Sequence, residues 1–133
     1  MTTSSVSTKR QKQIVDITDE VNAFLRKKKA GDGLCHVFTL HTTAAVTTAD
    51  LDPGTDLDML DAFGAMIPKL KFRHPHNPEH APDHIMSTVI GPGVLVPVEN
   101  GELLLGTWQR VILVELDGPR ERNLKFTFLP TSD

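Results

Sequence analysis

The chain has 133 residues, of which 39% are hydrophobic and 23% charged, and this composition predicts one ordinary globular domain over residues 1–133. Its formal net charge of −3 gives no electrostatic reason to expect nucleic acid or a membrane surface as a partner, and no apolar run reaches the roughly 20 residues of a membrane span. The N-terminus lacks the apolar segment of a signal peptide, and the single cysteine, Cys35, excludes an internal disulfide, so we expect a cytoplasmic protein with a buried, structural thiol.

The first part of the chain predicts a tail, a strand and a helix. Residues 1–5 are expected to form a flexible tail, and residues 6–15 show a weak strand pattern. A helix follows, with Thr18 as a candidate N-cap and Gly31 as its end. Its apolar face, at helical spacing, comprises Ile17, Val21, Phe24 and Leu25.

The segment "LCHVFTLHTTAAVTT", residues 34–48, is rich in β-branched side chains and predicts one strand. Because side chains alternate between the two faces of a strand, His41 is expected on the polar face together with Thr39 and Thr43. The apolar positions expected to face the core are Phe38, Leu40, Ala44 and Val46.

A second helix is predicted in "DLDPGTDLDMLDAFGAMIPKL". Thr55 or Asp56 can cap its N-terminus, and Pro68 ends it. The apolar residues at helical spacing are Leu57, Leu60, Phe63 or Gly64, and Ile67.

The stretch "RHPHNPEHAPDH", residues 73–84, holds four of the six histidines of the chain. Pro82 suits the first position of a short helix that carries His84 in its first turn and ends at Gly91. The prolines argue against one helix through the whole stretch, so the spacing of four between its last histidines does not create a helical metal site. The stretch alone allows a looped metal site, a metal-free catalytic or phosphate-binding site, or an inert loop. Its histidines are His74, His76, His80 and His84.

The remaining third of the chain predicts three strands and two turns. Asn100-Gly101 is a hairpin signal, and Asp117-Gly118 is a second turn. The strand "VILVEL" is apolar on both faces, which favours two packed layers or burial in an oligomer. The order of elements therefore predicts an α+β domain built on antiparallel sheet.

Three residues near this strand could carry chemistry. Gln109 and Glu115 share one face but lie roughly 20 Å apart at about 3.3 Å per residue, so they cannot both contact one small atom on a straight strand. Burial among apolar residues would raise the pKa of Glu115 and suit it to proton transfer; otherwise it pairs with a cation. Trp108 faces the opposite side, where it packs in a core or contacts a substrate.

Three motifs together carry a resemblance to a known family. "HTTA" at residues 41–44, "NGELLLGTWQ" at 100–109 and "ELDGPR" at 115–120 follow one another, and the similarity covers about residues 10–129. In this combination the chain resembles the YjbQ-type family, also called the secondary thiamine-phosphate synthase family. The resemblance implies an α+β fold with a β-sandwich-like core and two or three helices, a homotrimer with sites near subunit boundaries, and a weak thiamine-phosphate synthase activity.

The resemblance and the histidines predict an enzyme that joins a pyrimidinylmethyl diphosphate to a thiazole phosphate and releases pyrophosphate, with a divalent cation, zinc or magnesium, as cofactor. The alternatives are a metal-dependent, hydrolase-like enzyme of unknown substrate, and a non-catalytic trimer that binds a small phosphorylated metabolite. The predicted roles are catalysis for His41, His84, Glu115 and Gln109, substrate contact for Arg73, Thr42, Thr43 and Trp108, and metal ligation for His41, His74 and His84.

The sequence departs from the family pattern in two places. Ala49-Asp50 stands where the family commonly has Asn-Glu, in a loop one residue shorter. The segment "PHNPEHAPD" replaces an acid-rich one and adds His76 and His80. Both departures touch the presumed site, so they bear on the substrate and on the metal content of this member.

Overall fold

The computed structural model describes residues 2–132, which form an α+β fold with two antiparallel sheets, as the sequence predicts. The strands are β1 (Thr2–Ser7), β2 (Gln13–Asp16), β3 (Gly33–Thr39), β4 (Ala44–Asp50), β5 (Gly93–Glu99), β6 (Glu102–Leu103), β7 (Gln109–Glu115) and β8 (Glu121–Pro130). The helices are α1 (Thr18–Lys27), α2 (Thr55–Met66) and α3 (Ala81–Ile90). The larger sheet has the order β1-β8-β3-β5-β6 and the smaller one the order β2-β7-β4.

Strand β7 lies at the centre of the smaller sheet and is buried on both faces. Val111 and Leu113 belong to the main core, which also contains the apolar face of α1 and the inner residues of the larger sheet. Ile112 and Val114 belong to a second cluster with Met86 of α3. The two-sided burial explains why the four residues "VILV" are all apolar instead of alternating with polar ones.

The N-terminal residues form a strand, so the predicted flexible tail is wrong for Thr2–Ser5. Strand β1 pairs with β8 from Thr2 opposite Phe126 to Ser7 opposite Glu121. The predicted strand over residues 6–15 is divided between β1 and β2, which lie in different sheets. Met1, the remaining residue of the predicted tail, lies outside the described residues.

Helix α1 confirms the predicted apolar face, but its cap differs. Thr18 is the first helical residue rather than the cap, and its hydroxyl accepts a hydrogen bond from the N–H of Val111 at 2.8 Å. The carboxylate of Asp16 instead accepts from the N–H of Thr18 at 3.0 Å. Thr18 therefore ties the helix start to β7.

The predicted strand over residues 34–48 is two strands in different sheets. Strand β3 turns Cys35, Val37 and Thr39 inward, so the prediction that Phe38 and Leu40 face the core is wrong, and Leu40 is 53% exposed. The alternation restarts in β4, where Ala44 and Val46 are buried as predicted. The residues between the strands carry the chain from one sheet to the other, so one alternating pattern cannot span both.

The second and third helices are present where the sequence predicts them. Gly54, with φ of 91°, precedes α2, so Thr55 is its first residue and neither predicted side chain is the cap. Helix α2 has no buried residue. In α3, Pro82 occupies the second position, His84 lies in the first turn and Gly91 follows the last turn.

The C-terminal third is not one continuous meander. The hairpin β5–β6 turns at Asn100-Gly101, both with positive φ, as predicted. Strands β7 and β8, however, belong to different sheets, and the turn at Asp117-Gly118 connects the two layers. Among residues 2–132, no helix has both the length and the apolar character needed to cross a membrane.

Candidate functional site

A pocket of about 370 Å³ opens where the β3–β4 connection, the start of α3 and the β7–β8 turn meet. The β3–β4 connection and the β7–β8 turn each carry the chain between the two sheets, and the third segment begins a helix. The pocket is lined by Leu40, His41, Thr42, Thr43, His80, His84, Asp117, Arg120 and Arg122.

His41 lies in the connection between β3 and β4, not on the polar face of a strand as predicted. Its Nε2 accepts a hydrogen bond from the backbone N–H of Asn123 in β8 at 2.8 Å. Because a backbone amide can only donate, Nε2 carries no proton and the neutral ring bears its proton on Nδ1. Burial, together with the positive charges of Arg122 and Arg120, lowers the pKa of His41 despite the opposing charge of Glu115.

Glu115 is fully buried behind the pocket and paired with Arg122, which is 2% exposed. Arg122 Nε donates to both carboxylate oxygens, at 2.9 and 3.0 Å, and its Nη2 contacts Oε2 as well. The hydroxyl of Thr8 at 2.6 Å and the N–H of Asp117 at 3.1 Å complete the carboxylate's partners.

These contacts decide the protonation state of Glu115. Burial by itself raises the pKa, but the hydrogen bonds from Arg122, Thr8 and the Asp117 N–H outweigh it, and the pKa lies below its ordinary value. The prediction that burial raises the pKa of Glu115 is therefore wrong, and the alternative, that it pairs with a cation, is confirmed. A carboxylate that is ionised and fully hydrogen-bonded does not suit proton transfer.

Arg122 also fixes the "HTTA" segment. Its Nη2 donates to the carbonyl oxygen and to the hydroxyl of Thr43, both at 2.9 Å. Arg122 is also one of the residues that line the pocket. One guanidinium thus connects β8, β7 and the β3–β4 connection at the wall of the pocket.

Asp117 contacts two side chains, Arg120 and His80, at the other side of the pocket. Arg120 Nη2 lies 3.1 Å from its Oδ2 and Arg120 Nε donates to its carbonyl oxygen at 2.7 Å. His80 Nδ1 lies 3.4 Å from the same Oδ2. The carboxylate therefore orients Arg120 and His80 toward the space that His41 and His84 also line.

His84 and His74 stack on one another, with ring centroids 4.8 Å apart and planes 22° from parallel. His74 Nδ1 accepts from the N–H of Asn77 at 3.3 Å, which fixes its ring. His76 contacts His74 edge to face at 6.4 Å between centroids. The stack positions the ring of His84, which lines the pocket, whereas His74 is not among the lining residues.

The three predicted metal ligands do not fit a metal centre in this arrangement. The lone pairs of stacked imidazoles lie in nearly parallel planes and do not converge on one ion. A metal on His41 Nδ1 would require the proton on Nε2, where the Asn123 N–H already points. Among residues 2–132, no group of three or more His, Cys, Asp or Glu side chains is placed to hold a metal ion.

The structure brings four predicted residues into the pocket and keeps others away. His41, Thr42, Thr43 and His84 line it, and Glu115 lies behind it through Arg122. Gln109 is at the opposite end of β7, where its amide contacts Thr48 at 3.0 Å. Trp108 is 70% exposed beside it, so the expectation that this indole packs in a core is wrong. Arg73 lies outside the pocket lining.

Sequence reasoning did not assign roles to four pocket residues. Arg120 and Arg122 alternate in "GPRER", a pattern that places both on one side of an extended segment. Glu115, at the end of the apolar run "VILV", was a signal that this carboxylate is buried with a cationic partner. Nothing in the spacing indicated that His80 meets Asp117. The four residues are His80, Asp117, Arg120 and Arg122.

The comparisons with known proteins agree on one family. A family model described as UPF0047 protein YjbQ-like matches residues 2–131. A UPF0047 protein from Mycobacterium bovis is 41% identical over 123 residues, covering 90% of this chain and 93% of its own length. The UPF0047 protein YugU of Bacillus subtilis is 36% identical over 121 residues, covering 90% and 92%.

Solved structures show the same fold. A YbjQ-like protein of unknown function from Sulfolobus solfataricus P2 superimposes with a TM-score of 0.91 at 36% identity, covering 98% of this chain and 96% of that one. A protein of the yjbq/upf0047 family from Clostridium acetobutylicum superimposes with a TM-score of 0.88 at 32% identity, covering 97% and 100%. The match extends over both sheets, all three helices and the segments that line the pocket. The chain belongs to the YjbQ-like UPF0047 family.

Proposed function

We propose that the pocket lined by His41, His84, Arg120 and Arg122 binds the phosphate or diphosphate group of a small phosphorylated metabolite. The observation that carries this proposal is that two guanidinium groups, those of Arg120 and Arg122, line one polar pocket together with two imidazoles. Arginine is the side chain whose geometry suits phosphate oxygens best.

Fixed hydrogen-bond donors, rather than net charge, support the binding of an anion. Glu115 balances Arg122 and Asp117 balances Arg120, so each guanidinium already has a carboxylate. The neutral His41 presents a donor at Nδ1 because Nε2 is occupied. Donors held in place by other bonds need no reorganisation when an anion arrives, which favours binding and the stabilisation of a leaving group.

For the reaction we propose thiamine-phosphate synthesis, in which the thiazole nitrogen attacks the pyrimidinylmethyl carbon and pyrophosphate leaves. The guanidinium groups and His41 would stabilise the charge that develops on the leaving diphosphate. His84, held by its stack on His74, is proposed to donate a hydrogen bond to the same leaving diphosphate. The divalent cation stays a prediction: magnesium would accompany the diphosphate rather than bind to the three histidines.

The remaining predicted site residues lie away from the pocket of their own chain, and we propose that they act in the site of a second subunit. Gln109 and Trp108 lie at the end of β7 away from the pocket, and Trp108 is 70% exposed. In the proposed homotrimer, with sites at subunit boundaries, these residues would serve the pocket of a neighbouring copy. Arg73, which is exposed in the same chain, is proposed for substrate contact in the same way.

The binding step is tested by calorimetric titration with inorganic pyrophosphate. We expect the variant Arg120→Gln to bind about tenfold more weakly, the scale of one charge-assisted hydrogen bond, and Arg26→Gln on α1 to bind like the wild type. Equal affinities in all three proteins would contradict the proposed pocket.

The reaction is tested by measuring pyrophosphate release from the purified diphosphate and thiazole phosphate, with added magnesium. We expect turnover by the wild type and its loss in His84→Ala. If the wild type is no faster than His84→Ala, synthesis is excluded, and pyrophosphate binding without turnover then favours the non-catalytic metabolite-binding trimer. The hydrolase alternative has no supporting observation, since the three histidines do not converge.

A further inference from the structure

A second, larger cavity is separate from the histidine pocket. It has a volume of about 790 Å³ and lies between α2, the segment 67–72 that follows it, and α3. The two cavities share no lining residue, although the first turn of α3 borders both: Asp83 lines the large cavity and His84 the histidine pocket. A volume of this size is in the range of small-molecule sites.

The wall of the large cavity is mainly apolar. Part of it is formed by α2, a helix that has no buried residue. Phe63 of this helix, and Ile67 just after the helix, are only partly buried against the second apolar cluster. The opposite wall is formed by Met86 of α3 and by Leu116. Leu70, in the segment between, is 64% exposed. The cavity therefore leaves apolar side chains in contact with solvent.

The rim of the cavity carries more lysines than carboxylates. Lys12 is paired with Asp83 and also donates to the carbonyl oxygen of Leu116. Lys69 and Lys71 line the cavity, and within residues 2–132 neither has a carboxylate partner. Glu79 is the only other acid in the lining. An apolar cavity with this rim is complementary to an apolar molecule that carries one negative charge.

We propose that the cavity between α2 and α3 is a second ligand site, which binds a small amphipathic anion with an apolar body and a single carboxylate or comparable group. The apolar body would lie against Phe63 and Met86, and the anion would lie toward Lys69 and Lys71. This site is independent of the phosphate pocket, so either proposal can fail without the other.

The first test uses decanoate as the probe, below its micelle concentration, with calorimetry and amide chemical shifts. Gly64 lines the cavity, and a Cβ there meets nothing within 4 Å, so Gly64→Leu fills the cavity without disturbing the helix. Ala62→Leu places the same side chain on the exposed side of α2 as the matched control. We expect one decanoate per chain, binding about tenfold or more weakly to Gly64→Leu, that is by about 1.4 kcal/mol or more, and normally to Ala62→Leu.

The second test separates charge from apolar contact. We expect decanol to bind more weakly than decanoate to the wild type, and the difference to disappear in the double variant Lys69→Gln/Lys71→Gln. The double variant Lys27→Gln/Lys28→Gln, at the exposed end of α1, should keep the difference.

Three results would overturn the proposal. The first is the absence of saturable decanoate binding to the folded wild type. The second is binding that Gly64→Leu leaves unchanged. The third is a change of molecular mass in Gly64→Leu, measured by light scattering, because it would show that a second copy of the chain occupies the cavity.

Discussion

At the scale of single residues, the site depends on two side chains whose hydrogen bonds fix their protonation. The Asn123 N–H keeps His41 Nε2 unprotonated, and the bonds of Arg122 keep Glu115 ionised. Both pKa values lie below their ordinary values. Each group thus binds protons more readily in the unfolded chain than in the folded one, so acid destabilises the fold through both.

For His41, the effect begins as the pH falls below 6.5, the ordinary value of its pKa. We expect the free energy of unfolding of the wild type to decrease as the pH falls below 6.5, and to decrease less in His41→Gln, whose amide oxygen can still accept from the Asn123 N–H. Urea unfolding at several pH values measures this. Parallel curves for the two proteins would contradict the assignment of the Nδ1–H form. The ionised Glu115 stabilises the fold above pH 4.5, the ordinary value of its pKa, and this stabilisation is lost as the pH falls further.

The buried pair Glu115–Arg122 makes a prediction about charge compensation. Glu115→Gln leaves Arg122 buried without its counter-ion, so we expect a loss of about 3–5 kcal/mol in the free energy of unfolding. The double variant Glu115→Leu/Arg122→Met removes both charges and should lose less, although Thr43 and the Asp117 N–H then lack partners. Urea unfolding compares them. A double variant less stable than Glu115→Gln would show that the hydrogen bonds, not the charges, dominate.

At the scale of elements, α2 is the helix whose stability depends least on packing, because it has no buried residue. Gly64 lies inside this helix with open space around its missing side chain. Glycine within a helix costs about 0.5–1 kcal/mol relative to alanine. A substitution at this position should therefore change the free energy of unfolding through helix propensity alone, because an added Cβ contacts no neighbouring atom.

We predict that Gly64→Ala raises the free energy of unfolding by about 0.5–1 kcal/mol, measured by urea unfolding. The contrasting variant is Gly101→Ala in the β5–β6 hairpin, where φ is +81° and an added Cβ would lie 2.7 Å from the carbonyl oxygen of Ala30. This second change should destabilise by more than about 1 kcal/mol. A gain at Gly101 or a loss at Gly64 would contradict the described backbone.

At the scale of the whole molecule, the outer face of the larger sheet is apolar around its central strand. Leu129 pairs with Leu34 and Leu95 pairs with His36, on the two sides of β3. Leu95 is 54% exposed and Leu129 is 52% exposed. Exposed apolar residues grouped on a sheet are typical of a face that another copy covers, which supports the proposed homotrimer.

We predict a mass close to three times 14.7 kDa by light scattering. Leu95→Lys/Leu129→Lys should reduce the mass to that of the monomer, whereas Leu57→Lys on α2 should leave it unchanged, although Leu57 is equally exposed at 54%. A monomeric wild type would contradict the trimer. A trimer that survives the double change would place its interface on another face.

Local patterns in the sequence determined the helices, the hairpin at Asn100-Gly101 and the antiparallel α+β class, because spacing and turn chemistry act within a few residues. The motifs around His41 and "GTWQ" also identified the family. The helices, the hairpin, the fold class and the family can be predicted without knowing which distant segments of the chain contact one another.

Only the tertiary structure decided where the chain crosses between the sheets and what the site contains. The pattern of residues 34–48 is continuous in sequence, but β3 and β4 pair with β8 and β7 respectively, so the faces of Phe38 and Leu40 were mispredicted. The state of Glu115 depends on Arg122, seven residues away in another sheet, and on Thr8, 107 residues away. The apolar neighbours of Glu115 in the sequence predict that its carboxylate is desolvated. The hydrogen bonds that offset this desolvation come from partners that only folding brings within reach.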